Sequence, residues 1–495
     1  MLRGNVGAAE TMLVQALNDF PDSSELRRIQ AHLLLQAGRS AEGITALRAL
    51  LDKDPGDAAS AFILARVLIG QSRTAAAAQT MLACFANEVN RKDAELAISA
   101  IELLDDAGRK ADAASIARVT IAANPSDTRL HAYAGMLLAQ RGEFEPARGH
   151  YLTALERDER AWEWHVPIGL SATYRYVELA HPDVAMFEAG LTRPGLSELA
   201  RAELHFAIAK VHDDVGRYSV AATHLRPGNA MYHRLSPWPH KSWRCAIEAK
   251  LASAPSGAAT PATPGFVPVF IVGMPRTGTT LLATHLARDP AVCNRGEPTW
   301  LAQLAQRFEP GGAANPATLQ AAAGEYARWS RQDDADHCRW FIDKQPLNFR
   351  FVDLALAMFP DARILHCVRS ARDTALSLWM QCFLGGAQGY SYDFDEIQRV
   401  MRDESRLMAH WQRLYPDAIR VVRYEDLVSN PRGVLAGIAG WLGLSAWPPD
   451  ASPSEPASSI STASLWQARQ PVYMHAIGRW RRYAEWVPEL LRFSE

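Results

Sequence analysis

The sequence predicts a chain of two parts, an all-helical solenoid followed by an α/β domain built on a central parallel sheet. The first half repeats with a period of 34 residues, and the second half alternates short apolar runs with helical patterns. A segment rich in alanine, proline, serine and glycine separates the halves. A chain of 495 residues is also too long for one ordinary core. We therefore expect a helical domain over 1–250, a linker over 251–267 and an α/β domain over 268–495.

Composition and charge narrow the classes of function. The net charge of −2 gives no reason to expect binding to nucleic acid or to a membrane surface. No run of about eighteen apolar residues could span a bilayer, and residues 1–20 carry charges too early for a signal peptide. The six cysteines form no C-x-x-C pair, which predicts reduced thiols and a cytoplasmic location. His337 lies beside Cys338, but no second cluster completes a metal site, so we expect no metal.

The repeat of the first half is typical of a tetratricopeptide array. Pro21 and Pro55 are 34 residues apart, as are Gly108 and Gly142. Gly38 precedes Gly108 by two periods plus two residues. The best single copy carries the small and aromatic residues that let two helices of a hairpin pack closely. These are Gly135, Leu138, Ala147, Tyr151 and Ala154.

Two later stretches depart from the regular repeat. A degenerate copy surrounds Gly216, and aromatic residues and prolines interrupt the period over 162–184. We interpret the interruption as an irregular repeat that packs against the next domain. A surface that faces the substrate is the alternative interpretation.

Four short apolar runs, each followed by a helical pattern, predict the strands of the α/β domain. They read VPVFIV, RWFID, RILHCV and IRVVRY. The alternation predicts a parallel sheet with helices on both faces, a three-layer arrangement of the P-loop type. Ligands of such sheets bind at the carboxyl ends of the strands, so the loops after the four runs form the candidate site.

The loop after the first run, GMPRTGTT, resembles a phosphate-binding loop that lacks its lysine. In G-x-x-x-x-G-K-[ST] loops the lysine follows the second glycine, and here that position is Thr279. Glycines let backbone N–H groups approach an anion, the following helix adds its positive end, and Arg276 supplies a planar cation. Thr277 and Thr280 add hydroxyl donors, as Thr279 does. We predict phosphate binding rather than a plain turn.

Each of the other three loops carries a candidate together with a structural alternative. Lys344 follows the second run, where a solvated surface lysine is the alternative. Arg369 and Ser377 follow the third run and could grip a second phosphate, although Arg369 could instead pair with Asp373. Tyr424 ends the fourth run, where it could line a base pocket or simply pack.

Six motifs occur in order through the second half. They are FIVGMPRTGTTLL, GEP, DKQPLNF, VRSARDTALS, RYEDLVSNP and TASLWQARQPVYMHAIGRWRRY. Together they resemble the sulfotransferase family, closest to its tyrosylprotein branch, and with the helical repeats they resemble bacterial tetratricopeptide-repeat sulfotransferases. The resemblance implies 3′-phosphoadenosine 5′-phosphosulfate as the donor and no metal. An arginine and hydroxyl groups suffice for this anion, because it lacks the triphosphate that a P-loop lysine and magnesium would clamp.

The resemblance also implies which residues hold the donor. They are Arg276, Thr277, Gly278, Thr279 and Thr280 for the 5′-phosphosulfate, Arg369 and Ser377 for the 3′-phosphate, and Tyr424 for the adenosine. Ser464 and Arg479 fall where related enzymes place a donor-contacting serine and a cation, which is lysine in the tyrosylprotein branch. The family usually has serine at Thr277 and proline at Ala371.

Catalysis needs a base, because the acceptor hydroxyl loses a proton as the sulfuryl group arrives. Glu297 matches the catalytic glutamate of the tyrosylprotein branch, with an exposed loop carboxylate as the alternative. Lys344, by the same resemblance, stabilises charge on the bridging oxygen, and Arg276 contributes at the transferred group. Small-molecule sulfotransferases typically use histidine as the base, and His285 and His366 do not fall in that pattern.

The sequence predicts an enzyme, and two other classes compete with it. Helical repeats often hold peptides, which favours a protein acceptor such as tyrosine bound near the repeats, although a glycan or small molecule also fits. A non-catalytic nucleotide-sensing scaffold that recruits partners through its repeats is the alternative. A P-loop kinase is disfavoured by Thr279 and by the second anion grip at Arg369. The repeats could also serve as a homodimer surface.

Overall fold

The computed structural model describes most of the chain. The described residues are 6–252, 260–308, 315–335, 337–383, 388–444 and 476–494. The fold class predicted from the sequence is confirmed, since an all-helical region comes first and a domain with a five-stranded parallel sheet follows. No helix among the described residues has the length and apolarity needed to cross a membrane.

The chain divides into two compact units. Met1–Leu137 with Arg331–Asp336 form the first, and Leu138–Ser330 with His337–Glu495 form the second. The helices from 138 to 252 thus share a compact unit with the sheet. The boundaries at 250 and 268 rest on the repeat and on the linker composition, and they stay a prediction.

Paired helices make up the first unit. They are α1 Val6–Asp19, α2 Ser24–Gln36, α3 Ser40–Lys53, α4 Ala58–Gly70, α5 Thr74–Cys84, α6 Glu88–Lys92, α7 Ala94–Asp106 and α8 Lys110–Ala123, and α9 Thr128–Arg141 crosses the boundary. Gly38 and Gly108 lie in left-handed turns between paired helices, with φ of 75° and 76°. Ser72, which is 34 residues after Gly38, occupies the same turn of the next pair with φ of 61°. The repeat is therefore regular there in structure although its glycine is missing.

The helical pattern continues into the second unit. Its helices before the sheet are α10 Phe144–Arg157, α11 Val166–Ala172, α12 Pro182–Leu191, α13 Glu198–Asp214, α14 Tyr218–Leu235 and α15 His240–Ala252. The degenerate copy around Gly216 is a helix pair, α13 and α14, as predicted. Tyr151 lies against Gly169 of α11 so closely that a Cβ atom there would be 2.7 Å from its ring. The aromatic side chain therefore fills the gap to the next helix.

The sheet has one more strand than the sequence predicts. The strands are β1 Val267–Gly273, β2 Val292–Asn294, β3 Trp340–Asp343, β4 Arg363–Val368 and β5 Ile419–Arg423. Their order is β2-β3-β1-β4-β5, and every pairing is parallel. The additional strand, β2, has three residues, too few to show a periodic pattern. The first predicted strand begins at Val267, inside the predicted linker.

Helices cover both faces of the sheet and complete three layers. They are α16 Thr279–Leu286, α17 Trp300–Ala305, α18 Pro316–Arg331, α19 Val352–Met358, α20 Ala371–Trp379, α21 Phe394–Leu414, α22 Tyr424–Ser429 and α23 Pro431–Leu442. On one face, Leu282 of α16 and Ile438 of α23 pack in a buried cluster with Ile271 of β1. On the other face, Phe270 of β1 lies 5.8 Å from Tyr326 of α18, measured between ring centroids.

The strand order places a ligand crevice beside β1. The chain leaves β1 toward β2 and β3 on one side and leaves β4 toward β5 on the other. Connections that diverge between two neighbouring strands open a crevice at their carboxyl ends, where ligands of α/β sheets bind. The Gly-rich loop follows β1, and Arg369 follows β4, so both border this crevice.

Candidate functional site

The Gly-rich loop is held tightly between β4 and Tyr424. At Gly273, with φ of 138°, a Cβ atom would lie 2.3 Å from the carbonyl oxygen of Cys367. At Gly278, with φ of 92°, it would lie 2.6 Å from the ring of Tyr424. Arg276 itself is left-handed with φ of 73°, a conformation that L-residues other than glycine seldom adopt. The two glycines are therefore needed for the path of the loop.

The loop threonines are all buried, and α16 begins with the last two of them. The Thr277 hydroxyl donates to the carbonyl oxygen of Met274 at 2.7 Å and so closes the loop on itself. Thr279 and Thr280 are the first residues of α16. The first N–H groups of a helix have no partner within it and attract anions, so the backbone here suits an anionic group such as a phosphate.

Arg369 reaches back from the end of β4 to the loop. Its Nη1 donates to the carbonyl oxygen of Arg276 at 3.0 Å, and its Nη2 donates to that of Ala476 at 2.6 Å. Its guanidinium lies 4.7 Å from the ring centre of Tyr424. Burial lowers the pKa of Arg369 from its ordinary value. Its Nε is buried and has no acceptor among the described residues, which leaves a donor for a ligand.

The sequence predicts two anion grips, the Gly-rich loop with Arg276 and the pair of Arg369 and Ser377. These two grips are in direct contact. Nε of Arg276 donates to Oγ of Ser377 at 3.0 Å, so the loop cation reaches the serine that follows β4. Asp373, the alternative partner of Arg369, instead accepts the backbone N–H groups of Gly478 and Trp480 at 2.7 and 2.9 Å. The structure therefore brings together the loop, both arginines, Ser377 and Tyr424.

The remaining two donor candidates lie in the C-terminal region. Ser464 lies outside the described residues. Arg479 forms an ion pair with Asp213 of α13. The other carboxylate oxygen of Asp213 accepts the hydroxyl of Tyr483 at 2.7 Å.

Glu297 and Lys344 form an ion pair at the ends of β2 and β3. The Lys344 side chain is 3% exposed and that of Glu297 is 31% exposed, so the pair has one buried and one accessible end. The surface-lysine alternative is therefore wrong. Burial lowers the pKa of Lys344, and the nearby Glu297 carboxylate partly opposes that shift. The backbone N–H of Lys344 also donates to the carbonyl oxygen of Gly296 at 2.8 Å, which fixes the loop that carries Glu297.

Asp343 is a buried carboxyl group that the sequence did not single out. It accepts the Tyr326 hydroxyl at 2.7 Å, and both Nδ2 of Asn348 and the N–H of Gln345 at 3.1 Å. Burial raises the pKa of Asp343 to about 7. These bonds hold the turn that presents Lys344. The DKQPLN motif contains two of the partners, but Tyr326 lies outside it, on α18 and 17 residues before Asp343.

A cleft of about 470 Å³ adjoins the site on the side of α21. Its lining includes Arg369, Asp373, Glu404, Glu425 and Trp480.

Two histidines lie near the sheet, His366 on β4 and His285 on α16. His366 Nε2 lies 2.5 Å from Oε1 of the buried Glu404. Burial lowers the pKa of His285 to about 4. Among the described ranges, no group of three or more His, Cys, Asp or Glu residues is arranged to hold a metal ion.

Comparison with protein families identifies the domain that contains this site. Residues 268–449 match the model of the sulfotransferase family. The chain therefore carries a sulfotransferase family domain over residues 268–449. Residues 30–84 match a tetratricopeptide repeat model, in agreement with the period of the first half. The sulfotransferase match spans the Gly-rich loop, Glu297, Lys344, Arg369 and Tyr424.

Individual relatives are distant. An uncharacterized protein of Aquifex aeolicus (strain VF5) is 26% identical over 380 residues, which cover 70% of this chain and 49% of that protein. The chain thus spans about half the length of this relative.

Three solved structures show similarity to part of the chain. The sulfotransferase domain of the Synechococcus PCC 7002 olefin synthase is 22% identical with a TM-score of 0.33, over 46% of this chain and 90% of that one. Sulfotransferase STF1 of Mycobacterium tuberculosis H37Rv is 18% identical with a TM-score of 0.26, over 55% and 91%. Sulfotransferase STF9 of Mycobacterium avium is 16% identical with a TM-score of 0.26, over 62% and 93%.

Proposed function

We propose that this protein transfers a sulfuryl group from 3′-phosphoadenosine 5′-phosphosulfate to an acceptor hydroxyl. The observation that carries the proposal is the contact between the two anion grips. Arg276 of the Gly-rich loop bonds to Ser377, and Arg369 bonds to the carbonyl oxygen of Arg276. Two adjacent grips suit a nucleotide that has separate phosphates on its 5′ and 3′ sides.

The residues present suit this donor better than a nucleoside triphosphate. The loop has Thr279 where a P-loop lysine would stand. Arg369 holds a buried Nε donor that meets no acceptor among the described residues, and arginine is well shaped to bind phosphate oxygens. Tyr424 packs on Gly278 and under Arg369, which places its ring beside both groups that we propose to bind the donor phosphates. We propose no metal, because the cations at the site are arginine and lysine side chains.

The Glu297–Lys344 pair supports a role at the reacting end. The donor, when bound, supplies an activated sulfuryl group and a phosphate leaving group. Glu297 has an accessible carboxylate that would accept the proton from the acceptor hydroxyl. Lys344 is buried beside it and would stabilise negative charge on the departing oxygen. Transfer of this kind is in-line and depends on positioning and electrostatics, so the fixed loop and buried lysine matter more than covalent chemistry.

The acceptor is proposed as a hydroxyl, with a protein tyrosine as the leading candidate. Tetratricopeptide arrays stack into concave surfaces that suit extended peptides. A carboxylate base suits a hydroxyl acceptor, whether it belongs to tyrosine, a sugar or a small alcohol.

Donor-dependent sulfation by the full chain tests the proposal. Purified protein would be supplied with the labelled donor and a panel of tyrosine peptides, glycans and phenols. We expect transfer to at least one class, and a loss of about 10²- to 10⁴-fold in Glu297→Gln, because general acid–base catalysis contributes about that much. The matched control is Glu325→Gln, which removes an α18 carboxylate that pairs with Arg307. Tight bisphosphate binding without transfer to any acceptor would instead indicate the nucleotide-sensing scaffold.

A further inference from the structure

The backbone on both sides of Arg479 is fixed at the start of α20. Asp373 accepts the N–H groups of Gly478 and Trp480, one before and one after Arg479. Arg369 donates to the carbonyl oxygen of Ala476 just upstream. Both anchoring residues follow β4, so these bonds bring Arg479 to the crevice edge that holds the second anion grip.

The side chain of Arg479 is fixed by a carboxylate from the helical part of the chain. Asp213, near the end of α13, accepts one N–H of the guanidinium and, on its other oxygen, the hydroxyl of Tyr483. The side chains of Arg479 and Asp213 are 24% and 13% exposed, so water screens this pair only partly. Tyr483 is buried, and it therefore sets the direction in which the carboxylate faces.

Arg479 and Arg369 are close enough to influence each other. Burial is the main cause that lowers the pKa of Arg369, and the positive charge of Arg479 adds to it. Two cations are held near each other when an anion between or beside them offsets their repulsion. Asp213 offsets the charge of Arg479 on one side, and a phosphate held by Arg369 would do so on the other. A guanidinium has five N–H donors, so it can hold a carboxylate and a phosphate together.

We propose that Asp213 is a positioning residue for the nucleotide, because it holds the guanidinium of Arg479 where that cation binds the phosphate gripped by Arg369. The inference rests on the proposed donor site. Under this proposal α13, which lies within the predicted helical-repeat region, contributes a residue that positions the nucleotide. A variant without this carboxylate would keep the Arg479 side chain but lose its orientation.

Coupled binding measurements on the full chain test the inference. Calorimetry with adenosine 3′,5′-bisphosphate would compare wild type, Asp213→Asn, Arg479→Ala and the double variant. We expect Asp213→Asn to weaken binding about fivefold, the order of effect from releasing one long side chain. In the Arg479→Ala background, Asp213→Asn should have no further effect, because Asp213 acts through Arg479. Unchanged or tighter binding in Asp213→Asn, or an equal effect in both backgrounds, would overturn the inference.

Two controls separate positioning from a loss of structure. Arg226→Ala removes the ion pair between α14 and Glu489, which also ties the C-terminal segment to the helices but does not involve Arg479. We expect that variant to lose stability and to keep its affinity for the bisphosphate. Asp213→Glu should restore part of the lost affinity, which a purely structural role would not require. If wild type fails to bind the bisphosphate, the donor site itself is refuted. If it binds but Asp213 and Arg479 are uncoupled, only this inference fails.

Discussion

Replacement of Asp343 by asparagine should change how the stability of the protein depends on pH. The Asp343 carboxyl is buried beneath Lys344 in contact with Tyr326 and Asn348, and burial raises its pKa to about 7. Its ordinary value is 3.8, so between these two pH values the folded state keeps a proton that the unfolded state has released. Folding is therefore favoured at low pH by this group and becomes less favourable as pH rises to about 7.

The size of the effect follows from the two pKa values. From pH 5 to about pH 7 the unfolded carboxyl is ionised, whereas the folded carboxyl keeps its proton. Over these two pH units the unfolding free energy falls by about 1.4 kcal/mol per unit. Wild type should therefore lose about 3 kcal/mol of unfolding free energy over this range from Asp343 alone. Asparagine cannot ionise, so the variant should lack this contribution.

Urea unfolding followed by tryptophan fluorescence at pH 5, 6, 7 and 8 measures the effect. The quantity to compare is the difference in unfolding free energy between wild type and Asp343→Asn at each pH. It should move by about 3 kcal/mol in favour of the variant as pH rises. Asp361→Asn, at an exposed carboxylate before β4, is the control and should give a constant difference. Parallel curves for wild type and Asp343→Asn would refute the idea of a proton held by burial.

Three further predictions concern the loop, the ion pair and the repeats. Gly278→Ala should weaken bisphosphate binding at least tenfold, because the added Cβ meets Tyr424 at 2.6 Å and φ is 92°; wild-type affinity would contradict this. Lys344→Met should cut turnover about 10²-fold and abolish the high-pH decline of kcat/KM. In wild type the pKa that governs this decline should lie below the ordinary lysine range, because burial lowers the pKa of Lys344. If the variant shows the same decline, the catalytic role assigned to Lys344 is refuted. Ser72→Gly should raise unfolding free energy by about 1 kcal/mol in calorimetric melts, because it removes a left-handed serine; a loss would contradict this.

The sequence predicted those features of the fold and the site that depend on residues close together in the chain. The 34-residue period, the four longer strands and the Gly-rich loop each follow from residues close together in the chain. The turn at Ser72 lies one period after Gly38, but the structure is needed to show that a serine takes the left-handed conformation there.

The features that the sequence did not reveal depend on contacts between distant segments. β2 has three residues, and its place at the sheet edge comes from pairing with β3. Lys344 is buried and pairs with Glu297, which is 47 residues away in the sequence. Asp213 and Arg479 are separated by 266 residues, so no spacing pattern could pair them. The compact unit that joins residues 138–250 with the sheet likewise reflects tertiary packing rather than composition.

The most direct test of the central claim is the nucleotide preference of the site. Calorimetry would compare adenosine 3′,5′-bisphosphate with ADP plus magnesium, for wild type and Arg369→Ala. We expect wild type to bind the bisphosphate tightly and ADP much more weakly. Bisphosphate binding should collapse in Arg369→Ala, since we propose that this arginine binds the second phosphate through its buried Nε donor. Equal or better binding of ADP with magnesium would contradict the sulfotransferase assignment and indicate that the loop serves a different nucleotide.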